Sequence, residues 1–234
     1  MIRAADLPVR PFADPATIRL ISTAYIDEPA MAPLVDDAGD LAVLEALEGL
    51  TSARRMPRLP VPDGLQPDEL LTEADGYGWT YVNAAFCYTR QTGNRFNGQE
   101  RGAWYAAHGP DAATTARAEV CWHLTRELES VGVYDNKTAY RELVAGFAAR
   151  FGDLRDFEGA EELASDPEIA YPAGQALARE VLGAGGNGLL YPSARRPGGQ
   201  CLAAFRPRLV QDVRQGETWL FEWSGSPVPL IAKR

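Results

Sequence analysis

The sequence is poor in residues that staple, ligate or anchor a chain. Only three cysteines, Cys87, Cys121 and Cys201, occur among its 234 residues, and they lie far apart. No complete disulfide framework can be built from them, so three buried, small apolar side chains in a reducing compartment are expected. Histidine is rarer still. His108 and His123 are the only two, and neither has a cysteine or a second histidine at ligand spacing, which argues against zinc and against a metal-dependent hydrolase. No G-x-S-x-G elbow is present, and a Ser-His-Asp triad would depend on one of those two histidines. No apolar run approaches the roughly 18 residues that a membrane helix needs. The opening MIRAADLPVRPF carries charges and prolines where a signal peptide needs a continuous apolar stretch, so a cytoplasmic chain is expected. The sequon Asn136-Lys137-Thr138 matters only in a secreted protein. A basic face is missing too. With a formal net charge of −9 and only short pairs such as Arg54-Arg55 and Arg195-Arg196, direct DNA binding and membrane attachment are not expected. A small anion held by one or two arginines in a cleft remains open.

What is present suffices for a core, since 46% of the residues are hydrophobic. Residues 1–33 read as an irregular, proline-marked lead-in with one strand-like segment, IRLISTAY. Leu34, Leu41, Leu44, Leu47 and Leu50 repeat at roughly helical spacing, and RLPVPDGLQPDE, with prolines at 60, 62 and 67, reads as a linker. From Gly76 the sheet is expected to begin, with YGWTYVNAAFCY as one strand and RGAWYAA as the next. Helices are expected over residues 111–128, with Asp111 as N-cap and Gly132 beyond the end, over 138–151, and over 173–182. GLLYPSA, QCLAAFRP and TWLFEW read as strands. Without regular strand–helix alternation, the pattern predicts an α+β fold, a mixed central sheet with flanking helices. GAGGNG at residues 183–188 spells a dinucleotide fingerprint, but a helix precedes it and a strand follows, so it terminates a helix and is not a Rossmann turn.

Four segments place a reactive side chain beside small residues. In GNRFNG, Arg95 sits in a loop expected between two strands, where its fork can take a phosphate in two parallel hydrogen bonds; a surface hairpin arginine is the plainer reading. In RGAWYAA, Tyr105 has Ala and Gly neighbours that leave its ring face open for stacking, although a cross-strand tyrosine is the commoner fate. Glu119 shares a helix face with Ala112, Ala116 and His123, and its plainer role is pairing with His123 one turn on. In GLLYPSARRPGGQ, Ser193 ends an apolar strand, although a lone turn serine carries no meaning by itself.

Taken together, GNRFNG followed by RGAWYAA, the helix TTARAEVCWH, QALAREVLGAGGNGLLYPSARRPGGQC and CLAAFRP resemble the RES-domain family. The lead-in RLIST and the segment LEALEGLTSARR extend the likeness over most of the chain. The resemblance implies a single RES domain over residues 1–234, with 1–75 a partly helical N-terminal segment and 76–234 a catalytic core similar to ADP-ribosyltransferases. It assigns the family's named arginine, glutamate and serine to Arg95, Glu119 and Ser193, and its active-site tyrosine to Tyr105. It implies NAD as substrate, with Arg19, Arg95, Tyr105 and Ser193 binding it and no metal. Asn94 departs from the family, where a second glycine commonly precedes the arginine. Family members include bacterial toxins of toxin–antitoxin pairs, so the resemblance implies a helix-turn-helix antitoxin covering the site, a host target protein, and room for a homodimer within that complex. It implies transfer of ADP-ribose to a protein, with water or phosphate as alternative acceptors. A module that binds a nucleotide or a partner without turnover is the non-enzymatic alternative.

Overall fold

The structure, a computed structural model, describes residues 1–23 and 61–234. Seven strands form one mixed sheet: β1 (Val9–Ser22), β2 (Trp104–His108), β3 (Asp135–Asp153), β4 (Gly188–Pro192), β5 (Gln200–Ala204), β6 (Gln211–Ser224) and β7 (Leu230–Lys233). Their order is β1-β2-β5-β4-β3-β6-β7, and β1 also pairs with β3. Strands β1, β2, β5, β4 and β3 therefore close a circuit. All pairings are antiparallel except the short β3–β4 contact. Among the described residues, three helices flank the sheet, α1 (Trp79–Cys87), α2 (Ala112–Val131) and α3 (Pro167–Gly183). The expected α+β fold with a mixed sheet is the observed one.

Alternation along the strands sorts the two sides of the sheet. On β2 and β5, Trp104, Ala106, Leu202 and Ala204 join a core with Val82 and Phe86 of α1, while Ala107, Cys201 and Ala203 join a second core with Ala116 of α2 and Leu177 of α3. Tyr105 packs on that second side. The side chains of α2 and of β2 and β5 thus meet across one layer, and that layer holds the site.

Five expectations need correction. YGWTYVNAAFCY is a helix, not a strand: its buried residues Val82, Asn83, Phe86 and Cys87 follow helical spacing, and that periodicity outweighs the aromatic composition. Consequently Arg95 lies between a helix and a strand. Residues 138–151 are the middle of the longest strand, not a helix. β3 pairs with β1 from Val9 to Ser22 and with β6 from Gln211 to Ser224, so ladders on both edges override its Ala-, Glu- and Arg-rich helix propensity. The lead-in is not irregular, because β1 begins at Val9, and so the sheet does not start at Gly76. The leucine-rich segment 34–50 and the first part of the proposed linker lie outside the described residues.

Helix α2 runs close to expectation, whereas α3 begins at Pro167, six residues ahead of the expected start, with Asp166 accepting from Glu168 N–H as its cap. Asp111 is the N-cap residue of α2, although its carboxylate caps nothing and instead pairs with Arg196 at 3.2 Å, and Gly132 ends the helix at φ +72°. After α3 ends, Gly186 N–H donates to the Val181 carbonyl, so the glycine run closes the helix. Among the described residues, no helix is long and apolar enough to cross a membrane.

Candidate active site

Between α2 and the β2–β5 strands lies a cavity of about 360 Å³, within the usual range for small-molecule sites. Arg19 from β1, Arg95 from the loop before β2, Tyr105 from β2 and Glu119 from α2 all line it. The α2 wall is a helical stripe, Ala116, Glu119, Val120, His123, Leu124 and Glu127. Ser193, just past the end of β4, is joined to this wall by a 2.5 Å hydrogen bond from its hydroxyl to Glu119 Oε1. Five residues spread over 175 positions of sequence thus share one region. Glu119 bonds Ser193 rather than pairing with His123.

Each group is held by identifiable partners. Ser193 Oγ accepts from the backbone N–H groups of Arg195 and Arg196, both at 3.1 Å, which leaves its proton for the carboxylate. The Arg95 turn begins at Gly93, whose φ of +63° suits glycine. Asn94 N–H donates to the Asn97 carbonyl at 2.8 Å, and Gln175 of α3 donates to the carbonyls of Thr92 and Asn94. Gly174 lets the loop sit against α3, since a Cβ there would collide with the Arg95 carbonyl. The Tyr105 hydroxyl donates to Asn97 Oδ1 at 2.8 Å and accepts from Phe96 N–H at 2.9 Å, so the phenol ties this loop to β2. Burial pushes its pKa up, opposed by that backbone bond. Asn94, where the family commonly has glycine, lines the cavity and donates to Asn97 at 3.2 Å.

Three arginines of the cavity, Arg19, Arg95 and Arg195, differ from the buried Arg101. Arg101 makes a bidentate pair with Glu69, at 2.8 and 2.6 Å. Arg95 instead donates from Nη1 to the carbonyls of Glu162 and Ala164, at 2.8 and 2.9 Å. Arg19 donates to the Tyr105 carbonyl at 3.3 Å and lies 5.0 Å from the centre of the Trp104 ring. Burial pushes the Arg19 pKa down to about 10, against a smaller opposing contribution from Tyr105. Arg195 donates to the Ser165 carbonyl at 2.7 Å and stacks 3.4 Å from the Trp122 ring centre. Neutral groups make the hydrogen bonds and ring contacts of these three guanidinium groups, while Glu119 acts on Arg195 through space and the fourth arginine of the cavity, Arg90, pairs with Glu127 at 3.2 Å. Such charges in a partly dry cleft are costly unless an anion completes them.

Arg195, His123 and Tyr171 also line the cavity, although sequence reasoning treated Arg195 only as part of a short basic pair and His123 only as a partner of Glu119, and did not consider Tyr171. Arg195 reads as an ordinary basic turn because its partners, Ser165 and Trp122, are distant in sequence. His123 shows a usable signal, its place one turn after Glu119. Burial first, then Arg90, Arg195, Arg126 and Arg95, push its pKa down to about 4, so the imidazole is neutral near pH 7. The three cysteines are free thiols, with Cys87 and Cys201 buried and Cys121 partly so. Among the described residues, no group of three or more His, Cys, Asp or Glu side chains is placed to hold a metal ion.

These side chains can bind an elongated anion, stack a ring and set one carboxylate against a developing positive charge. No curated protein matches the chain. The crystal structure of the M. tuberculosis MbcT–MbcA toxin–antitoxin complex is a remote likeness, at a TM-score of 0.44 and 14% identity over 95% of this chain and 86% of that chain. The family model described as "RES domain" matches residues 70–224, more than half of the chain and the part that carries Arg95, Tyr105, Glu119 and Ser193, so the protein belongs to the RES-domain family.

Proposed function

We propose that this protein is the toxin of a bacterial type II toxin–antitoxin system. It breaks the nicotinamide–ribose bond of NAD and transfers ADP-ribose to a target protein. The reading rests on the family resemblance and above all on one observation: the 2.5 Å Ser193–Glu119 hydrogen bond lies at a cavity lined by Arg19, Arg95 and Arg195, none of which makes a hydrogen bond to a carboxylate. Nicotinamide leaves with the electron pair of the broken C–N bond and becomes neutral, so the step needs no general acid. Positive charge appears on the ribose as an oxocarbenium-like ion, and Glu119 stabilises it while accepting from a ribose hydroxyl. Ser193 fixes the carboxylate's orientation. Arg95 and Arg19, joined by Arg195, hold the pyrophosphate, and Tyr105 offers its ring to nicotinamide. The acceptor then forms the new bond at the anomeric carbon and releases a proton.

The resemblance further supports a cytoplasmic protein whose helix-turn-helix antitoxin covers the cavity and makes the DNA contacts, with a homodimer of the toxin inside that complex. The protein's own formal charge of −9 suits that division of labour. Incubating the purified protein with NAD labelled in its adenylate phosphate and with cell lysate tests the acceptor. Transfer predicts label on a discrete protein. Label recovered only as ADP-ribose or its phosphorylated form moves the assignment to water or phosphate, and intact NAD removes the enzymatic reading in favour of a binding module.

A further inference from the structure

Beside the cavity lies a second groove of about 440 Å³, lined by Trp122, Thr125, Arg126 and Glu129 of α2, by Ser165, Asp166 and Pro167 ahead of and at the start of α3, and by Arg195. Arg195 lines both spaces and so stands at their boundary. Its guanidinium is stacked 3.4 Å from the centre of the Trp122 ring, Arg126 lies 5.3 Å from the same ring centre, and the Arg195 Nε is buried with no hydrogen-bond partner. Resting on the proposed NAD reading, we infer that this groove holds the adenosine half of the dinucleotide, with Arg195 at the junction where the pyrophosphate crosses from one space to the other.

Three features favour a nucleoside over other occupants. The stacked indole and guanidinium form a flat cationic platform, which suits the face of a purine. Arg126 and Arg195 supply donors for a phosphate at the near end of that purine. The groove also contains two carboxylates, Glu129 and Asp166. They oppose an inorganic anion but accept from ribose hydroxyls and a purine amine. Position agrees as well. Glu119 and Arg126 sit on the same helix about 10 Å apart along its axis, at roughly 1.5 Å per residue, so one elongated ligand can run from the carboxylate into the groove.

The test is calorimetric titration of AMP and of nicotinamide mononucleotide into wild-type protein and into the Arg126→Ala, Trp122→Phe and Trp122→Ala variants. AMP is expected to bind wild type, to weaken at least tenfold in Arg126→Ala and Trp122→Ala, and to keep most of its affinity in Trp122→Phe. Nicotinamide mononucleotide is expected to bind wild type and Arg126→Ala alike. Arg126 is exposed, so its replacement leaves the core intact and stays informative if Trp122→Ala fails to fold. The inference is overturned if wild type does not bind AMP, if Arg126→Ala binds it as tightly as wild type, or if Arg126→Ala loses both ligands equally. It is also overturned if AMP binding survives while modification of a target protein is lost, which makes the groove a docking site for the acceptor. Nicotinamide release by wild type is measured separately, so failure of the cleavage reading is distinguishable from failure of the groove assignment.

Discussion

Replacing Glu119 by Gln isolates the charge on which the proposed chemistry turns. The amide oxygen can still accept the Ser193 hydroxyl that reaches Glu119 Oε1 at 2.5 Å, so the local geometry is preserved and only the negative charge is lost. In a transition state with the ribose hydroxyl gripped by the carboxylate, the two charges lie about 5 Å apart; at an effective dielectric constant of about 20 their attraction is about 3 kcal/mol. Losing it slows the chemical step by about two orders of magnitude, in line with the roughly 10²- to 10³-fold cost of removing other preorganised electrostatic stabilisers. Nicotinamide release at saturating NAD, followed by chromatography with unfolding midpoints measured in parallel, gives the number. A Glu119→Gln protein that folds and turns over within threefold of wild type would falsify the assignment of Glu119.

The contrast between cavity and structural arginines gives a paired expectation. Arg19→Met leaves the melting temperature unchanged or raised, because no carboxylate loses its partner, while kcat/KM for NAD falls at least tenfold through loss of a charge-assisted contact of about 1.5–3 kcal/mol. Arg101→Met strands Glu69 and destabilises the protein by about 3 kcal/mol; equal melting temperatures for the two variants would contradict the distinction. Gly174→Ala pushes the Arg95 carbonyl away and is expected to lower turnover at least tenfold in a folded protein. Gly183→Ala, with open space around its Cβ, is the control that keeps full activity. His123 makes stability pH-dependent. Its folded pKa of about 4 lies below the unfolded value near 6.5, so its contribution is complete above pH 6.5 and is lost as pH falls towards 4. Urea titrations from pH 4.5 to 7.5 should show that slope in wild type and a flatter one in His123→Asn, and identical slopes would refute it. Glu69, held below its usual range by hydrogen bonds from Arg101, contributes in a more acid window.

How much of this was readable in the sequence depended on how local the cause was. Helix α2 was readable because its punctuation, Pro110-Asp111 before it and Gly132 after it, is adjacent to it. Strand β3 was not. Its segment TAYRELVAGFAARF favours a helix by composition, and what makes it a strand is pairing with β1 more than a hundred residues away and with β6 about seventy residues on. Helix α1 shows the opposite failure, where aromatic composition suggested a strand although positions 82, 83, 86 and 87 already carried the helical period. At the site, Arg95, Tyr105, Glu119 and Ser193 were individually weak and gained meaning from their order in a family pattern. Arg195 could not be found that way, because the indole and the carbonyl that hold it come from two other segments, α2 and the residues just ahead of α3.

The central claim is that the arginine-lined cavity turns NAD over at the Glu119–Ser193 pair. Proton NMR of purified protein with NAD reads it directly. Free nicotinamide should grow in step with the loss of NAD, and should all but vanish when Glu119 is replaced by Ala. NAD that stays intact after prolonged incubation with folded protein, or nicotinamide that appears as fast with Glu119→Ala as with wild type, contradicts the account.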